Sequence, residues 1–315
     1  MAKLCFILGI MPRSGTNYLE NIITLHDQCT DCAPIYEDFL VSESDKLVKY
    51  AQSVNRRWNS DWEKDSKHVT TSSLLKAVGN GLQQFLSASY LQSQTQTVVE
   101  HTVLISKTPS VKNIKNFIDL FPDTKLIILI RDGRSLVESG CRSFNWDFEK
   151  ACFDWNYAAK KIKKFQLDNI QNNDNIKLVC YENLIKSPDK EVADIFRFLN
   201  LPEDNVSVDD IKGLHISGSS EQKKQSKNID WKPVKKSDDF KPLNRFAHWS
   251  KFKARRFEWI AGDSMLSMGY IESYEKFSLF EKILHISLDI SWPIRVLPET
   301  LKYVILERKL IIKTY

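Results

Sequence analysis

An α/β fold with a central parallel sheet flanked by helices is predicted by two features of this chain. Short apolar runs rich in β-branched residues alternate with stretches of helical periodicity, as expected of strands buried on both faces. The clearest of these runs, Lys125–Ile130 (KLIILI), is set off from the preceding helical stretch by a Phe121-Pro122-Asp123 break. The 315 residues, 42% of them hydrophobic, 27% charged and 11% aromatic, provide ample material for a buried core and exclude a disordered or collagen-like chain. No stretch approaches the roughly 18–20 uninterrupted apolar residues of a membrane span, so the chain reads as a soluble globular protein.

Taken in order, residues 3–10 form a buried strand, followed by a turn and a helix from about Gly15 to Leu25, with Tyr18, Leu19, Ile22, Ile23 and Leu25 helically spaced. Residues 40–96 carry two or three helical stretches and few strand signals. Val98–Ser106 is a second strand and Val111–Leu120 a helix, ahead of the strand Lys125–Ile130. Helices follow from Arg134 and from about Phe148 to Leu167, then a strand Ile176–Cys180 and a helix Pro188–Leu199. The domain limits expected are 1–273 for the sheet-bearing domain, with a helical insert at about 40–96, and 274–315 for a C-terminal amphipathic helical extension. Phe277, Phe280, Leu284 and Leu288 form the apolar stripe of that extension, and the apolar segment Val296–Ile312 follows it. It is expected to pack on the domain or on another subunit, or to lie on a membrane surface.

The opening apolar run, Leu4 to Ile10, leads into polar Pro12-Arg13-Ser14-Gly15-Thr16 with no small-x-small cleavage site, which favours a buried strand over a signal peptide. A cytoplasmic chain with reduced cysteines is therefore expected. Cys29 and Cys32 have redox or zinc spacing but lack a second ligand pair. The net charge of +5 does not mark a nucleic-acid binder. Its distribution is uneven, however: residues 212–256 hold thirteen Lys and Arg against four Asp and Glu, consistent with a solvated surface or with a mouth that attracts an anion.

Ligands of parallel sheets sit beyond the carboxyl ends of the strands. The first strand empties into Gly9-Ile10-Met11-Pro12-Arg13-Ser14-Gly15-Thr16-Asn17 ahead of a helix. Backbone N–H groups and a helix N-terminus there make a cradle for phosphate, with Ser14, Thr16 and Asn17 as side-chain donors. The nucleotide P-loop pattern G-x-x-x-x-G-K-[ST] is not met, because five residues separate Gly9 from Gly15 and Thr16 stands at the lysine position. A second anion site lies after the clearest strand, where Arg131-Asp132-Gly133-Arg134 is followed by Ser139 about two helical turns on. Arg131 offers a planar fork suited to a phosphate dianion, and Ser139 a hydroxyl.

Together these elements resemble the sulfotransferases that use 3′-phosphoadenosine-5′-phosphosulfate (PAPS), whose fold is P-loop-nucleotide-hydrolase-like. The Arg-Asp-Gly-Arg wording and Ser106-Lys107-Thr108-Pro109 are most similar to the tyrosylprotein and the related bacterial or carbohydrate sulfotransferases. Tyr181-Glu182-Asn183-Leu184 is similar to the family's Tyr-Glu-Asp-Leu element, and Lys241-Pro242-Leu243-Asn244-Arg245 with Trp249 to its nucleotide-covering loop. The resemblance implies that Arg13, Ser14, Gly15, Thr16 and Asn17 hold the donor's 5′-phosphosulfate. Arg131 and Ser139 would hold the 3′-phosphate, with Lys241 or Arg245 nearby and Tyr181 close to the adenosine. Arg142 is a further possible contact.

Sulfuryl transfer, like phosphoryl transfer, asks mainly for positioning and charge stabilisation. Lys107 matches the family's lysine that stabilises the leaving phosphate. Small-molecule relatives carry a histidine base two residues later, where this chain has Pro109; tyrosylprotein-like relatives instead carry a Glu soon after the first helix, and that resemblance implies Glu37 as the base, with Asp38 second and His26 and His101 as fallbacks. No metal is required. The expected acceptor is a hydroxyl, less readily an amine, of a carbohydrate, lipid or small metabolite. Trp58, Trp62 and Tyr90 of the insert, with Trp146 and Trp155, could border its cleft, and the missing export signal argues against secretory-pathway tyrosine sulfation. Two other readings remain open: an atypical P-loop kinase, and a catalytically silent member that binds nucleotide or a partner.

Overall fold

The computed structural model describes residues 3–58, 69–93, 103–169, 173–203, 205–217, 233–236 and 241–292. The chain divides into two compact units, Met1–His248 and Trp249–Tyr315. Among the described residues the first unit is built on five strands, β1 (Lys3–Gly9), β2 (Cys29–Asp31), β3 (Val103–Thr108), β4 (Lys125–Ile130) and β5 (Ile176–Cys180). They form one sheet in the order β2-β3-β1-β4-β5, and every pairing is parallel. The predicted fold class is the observed one. Its described helices are α1 (Thr16–Ile23), α2 (Asp45–Asn55), α3 (Thr71–Ser93), α4 (Phe117–Leu120), α5 (Gly133–Phe144), α6 (Phe148–Asn169), α7 (Tyr181–Lys186), α8 (Pro188–Leu199) and α9 (Val208–Gly213).

The strands are apolar because both faces of the sheet are covered. Phe6 and Leu8 are fully buried on one side, Phe6 against Phe117 and Phe121. Cys5 and Ile7 are buried on the other with Leu19, Ile22, Val179, Ile195 and Phe196. Burying a side chain of this size contributes about 1.5–3 kcal/mol, so these two layers dominate the unit's stability.

β4 and β5 have the predicted limits. β3 runs two residues past the predicted end, to Thr108, because Ile7 and Leu8 of β1 pair with Lys107 and Thr108; Lys107 therefore belongs to the strand. The helix expected at Val111–Leu120 shortens to a 3-10 turn, Ile114–Asn116, and α4, since Asn113 adopts a left-handed φ of 60°. β2 and α7 escaped sequence reading: three residues carry no period, and the helical turn at Tyr181 interrupts a strand-like context.

The second unit contains α10 (Lys251–Ser267) and a helix at 279–292. Arg256 and Trp259 of α10 both bond Asp289, and Arg255 bonds Glu281. In the expected stripe, Phe277, Leu284 and Leu288 are half-buried, but Phe280 is 75% exposed. Val296–Ile312 lies outside the described residues. No described helix is long and apolar enough to cross a membrane.

Candidate active site

The strand order places a crevice. From β1 the chain crosses to one side to make β2 and β3, and β4 then pairs on the other side of β1. The segments leaving β1 and β4 diverge, which opens a ligand-sized gap at their carboxyl ends.

After β1 the loop contains two residues with left-handed backbone, Arg13 (φ 75°) and Gly15 (φ 100°), and ends at the N-terminus of α1. Such a turn against a helix start is the backbone form of an anion-binding concavity. Gly15 is required twice over: its φ disfavours any side chain, and an added Cβ would stand 2.5 Å from the Tyr181 ring. The hydroxyl of Ser14 is fully buried and has no hydrogen-bond partner among the described residues.

After β4, Arg131 is 5% exposed and ties the crevice together. Its Nη1 donates to the Arg13 carbonyl (2.6 Å) and its Nη2 to the Pro242 carbonyl (2.7 Å), while its guanidinium lies 4.3 Å over the Tyr181 ring. Its buried Nε has no partner among the described residues. Arg134 instead serves its own helix: Asp132 caps α5 through the Arg134 N–H (2.8 Å), and its carboxylate also takes the Arg134 guanidinium (2.6 Å). Glu182 accepts the Asp132 N–H (2.9 Å), so the Tyr-Glu pair of α7 buttresses the end of β4. Trp155 was expected at the cleft border. It is fully buried, and its indole N–H supports the Arg131 carbonyl (3.2 Å).

Ser139 is the focus of the cationic wall. Its hydroxyl accepts from Arg13 Nε (3.2 Å) and from Arg245 Nη1 (3.5 Å). Burial, reinforced by the charges of Arg131 and Arg245, lowers the Arg13 pKa to about 10. Arg142 turns away to Glu138 (2.8 Å).

A cleft follows from these placements. Arg13, Gly15, Thr16, Asn17, Arg131 and Ser139 line it, as do Tyr181, Arg245 and Glu37. Ser14 lies buried within the loop itself. Lys241 does not join them: it is exposed and absent from the lining, because its neighbour Pro242 is the residue turned to Arg131. Lys236 was not singled out by the sequence, although it falls in the basic segment. An antiparallel bridge between Ile216 and Val234 brings it to the cleft, where its ammonium lies 5.1 Å from the Tyr18 ring centre.

The acidic end of the cleft is at the loop after β2. Glu37 lines the cleft and is exposed, and its carboxylate has no hydrogen bond or ion pair among the described residues. Partial burial raises its pKa, opposed by Lys107. Asp38 is structural: it accepts from Ser106 Oγ (2.6 Å) and the Leu40 N–H (2.7 Å), pinning this loop to β3. His26 is fully buried against Phe196, and His101 lies outside the described residues. Lys107 is buried and forms an ion pair with Glu20 of α1. A carboxylate on the otherwise apolar face Leu19, Ile22, Ile23 was the available signal for Glu20.

Among relatives, Protein-tyrosine sulfotransferase A of Caenorhabditis elegans is 25% identical over 238 residues, 71% of this chain and 58% of that protein. Protein-tyrosine sulfotransferase 1 of Danio rerio is 24% identical over 211 residues, 63% of this chain and 53% of that protein. The chain thus spans little more than half the length of either. A solved sulfotransferase domain from the curacin biosynthetic pathway is 17% identical with a TM-score of 0.44, covering 68% of this chain and 77% of its own. The sequence pattern described as the Sulfotransferase family matches residues 5–205, well over half of the chain. This chain belongs to the sulfotransferase family.

Proposed function

We propose that this protein transfers a sulfuryl group from PAPS to an acceptor hydroxyl, releasing 3′-phosphoadenosine-5′-phosphate (PAP). The observation that carries this reading is the convergence of Arg13 and Arg245 on the Ser139 hydroxyl, with Arg131 beside them. Guanidinium groups held this close call for a polyanion. The buried Ser14 hydroxyl and Arg131 Nε, without partners among the described residues, are donors that such a ligand would satisfy. A ligand with anions at both ends suits two adjoining cradles that both meet Tyr181.

PAPS brings a sulfuryl group carried on a phosphate that leaves as PAP. The residues around Arg13 to Asn17 would bind the 5′ end, and Arg131, Ser139 and Arg245 the 3′-phosphate. Lys107 supplies positive charge beside the reacting centre, and Glu37, whose carboxylate has no hydrogen bond or ion pair among the described residues, takes the acceptor's proton. Among acceptors, the names of the relatives favour a tyrosine hydroxyl in a peptide over the carbohydrate, lipid or small metabolite that the sequence suggested.

A thermal-shift comparison of PAP with ADP and Mg-ATP, on the wild type and Arg131→Ala, tests the donor. Stabilisation only by PAP, weakened in the variant, supports the reading, whereas greater stabilisation by Mg-ATP overturns it in favour of a kinase. Turnover of PAPS against tyrosyl peptides and against sugar hydroxyls then decides the acceptor.

A further inference from the structure

The buried ion pair between α1 and β3 has no place in the two anion cradles. Lys107 and Glu20 have side-chain exposures of 7% and 9%, and the Lys107 ammonium bonds the Glu20 carboxylate. Each is an expensive residue to bury, and neither lines the cleft. Glu37 does line it, and Lys107 is its principal favourable charged neighbour. No ion pair joins Lys107 to Glu37 among the described residues, because Glu20 holds the ammonium.

We propose that Glu20 is a positioning residue: it anchors Lys107 beside the cleft and so keeps the ammonium from closing onto Glu37, leaving that carboxylate free to accept the acceptor's proton. The inference rests on the sulfotransferase reading with Glu37 as base. It adds a residue that touches neither donor nor acceptor.

The charged and titratable groups that face this cluster are few. Glu37 is influenced by Lys107 from β3 and by its neighbour Asp38, and its charge raises Glu20 on α1, so the two carboxylates repel each other. Glu20 in turn faces Lys107, Asp31 at the end of β2 and Glu37, with the Cys32 thiol nearby. Neutralising Glu20 removes a negative charge that raises Glu37 and releases a positive one that lowers it. Both changes make Glu37 a stronger acid and a weaker base.

The test is Glu20→Gln, read first by ¹³C NMR titration of the Glu37 carboxyl in the ligand-free protein, its resonance assigned by loss in Glu37→Gln. The expected result is a fall in the Glu37 midpoint by about 0.5–1 pH unit, a three- to tenfold gain in acidity. The acidic limb of kcat/KM should move down with it while PAP affinity stays within twofold. An unmoved Glu37 midpoint in folded Glu20→Gln overturns the proposal. If Glu20→Gln does not accumulate as folded protein, Glu20→Asp withdraws the carboxylate without removing its charge and should give a smaller fall. An unchanged midpoint there also overturns the proposal. The titration needs no turnover, so it stands apart from the base assignment, which fails separately if Glu37→Gln keeps wild-type kcat.

Discussion

Replacing Arg13 with Met retains an unbranched side chain of similar reach and removes its charge. In the ligand-free protein two losses follow. The bond to Ser139 is worth about 1 kcal/mol net, and the contact 5.4 Å over Phe144 about 0.5–1 kcal/mol. Against these stands relief of repulsion. Arg13 and Arg245 reach the same Ser139 hydroxyl at 3.2 and 3.5 Å. At a separation of roughly 7 Å or less, two unit charges repel by at least about 0.6 kcal/mol in water and about 2.4 kcal/mol at an effective dielectric constant near 20. The lowered pKa of about 10 at Arg13 reflects the same repulsion together with burial. Gains and losses nearly cancel, so ligand-free stability should change by less than about 1 kcal/mol, or about 2–4 °C in Tm. PAP binding is different: losing a charge-assisted hydrogen bond costs about 1.5–3 kcal/mol, a 10- to 150-fold rise in Kd. Thermal unfolding without nucleotide and calorimetric titration with PAP measure the two separately. A Tm loss above about 8 °C, or a Kd within twofold of wild type, would refute the view that Arg13 is held for a ligand.

Gly15→Ala should lower stability by at least about 2 kcal/mol, since left-handed backbone alone costs about 1–2 kcal/mol and the new methyl meets Tyr181; chemical denaturation measures it, and a neutral effect would contradict the geometry. Glu37→Gln should reduce kcat by about 10²- to 10⁴-fold with PAP affinity unchanged. In the wild type, kcat/KM should fall as pH drops through the raised Glu37 pKa, because the base must be ionised; a pH-rate profile lacking this limb in the acid range would remove Glu37 from the mechanism. Trp155→Phe keeps the packed ring but leaves the Arg131 carbonyl short of its indole donor, a loss of about 1–3 kcal/mol visible in urea unfolding.

Much of the site was legible because its chemistry is local in sequence. The loop Arg13–Asn17 and the pair Arg131 and Ser139 are each short strings leaving a strongly apolar strand, and a buried parallel strand announces itself by composition. What stayed hidden depends on pairings between distant segments. β2 is a strand only because β3 offers it an edge, and Lys236 enters the cleft only through the bridge from Ile216 to Val234. Trp155 looked like a cleft residue because its helix lies close to the site in sequence. Its contact with a backbone carbonyl, rather than with ligand, is settled by the face of α6 turned inward. Lys241 and Arg245 are one helical turn apart in spacing, yet the backbone at Pro242 turns only Arg245 inward.

The contact of Tyr181 with both cradles has one more consequence. Its ring packs against Gly15 and lies under the Arg131 guanidinium, while Arg131 bonds the Arg13 carbonyl and Arg13 bonds Ser139, so one packed unit fixes the distance between the two anion seats. A gap fixed in this way measures ligands as a gauge does, by span before charge. A bisphosphate with the same two anions on a longer tether can occupy one seat at a time, and its affinity should sink to that of a monophosphate. Tyr181→Phe, which retains the ring, should keep this length selection, and Tyr181→Ala should lose it even with every arginine in place.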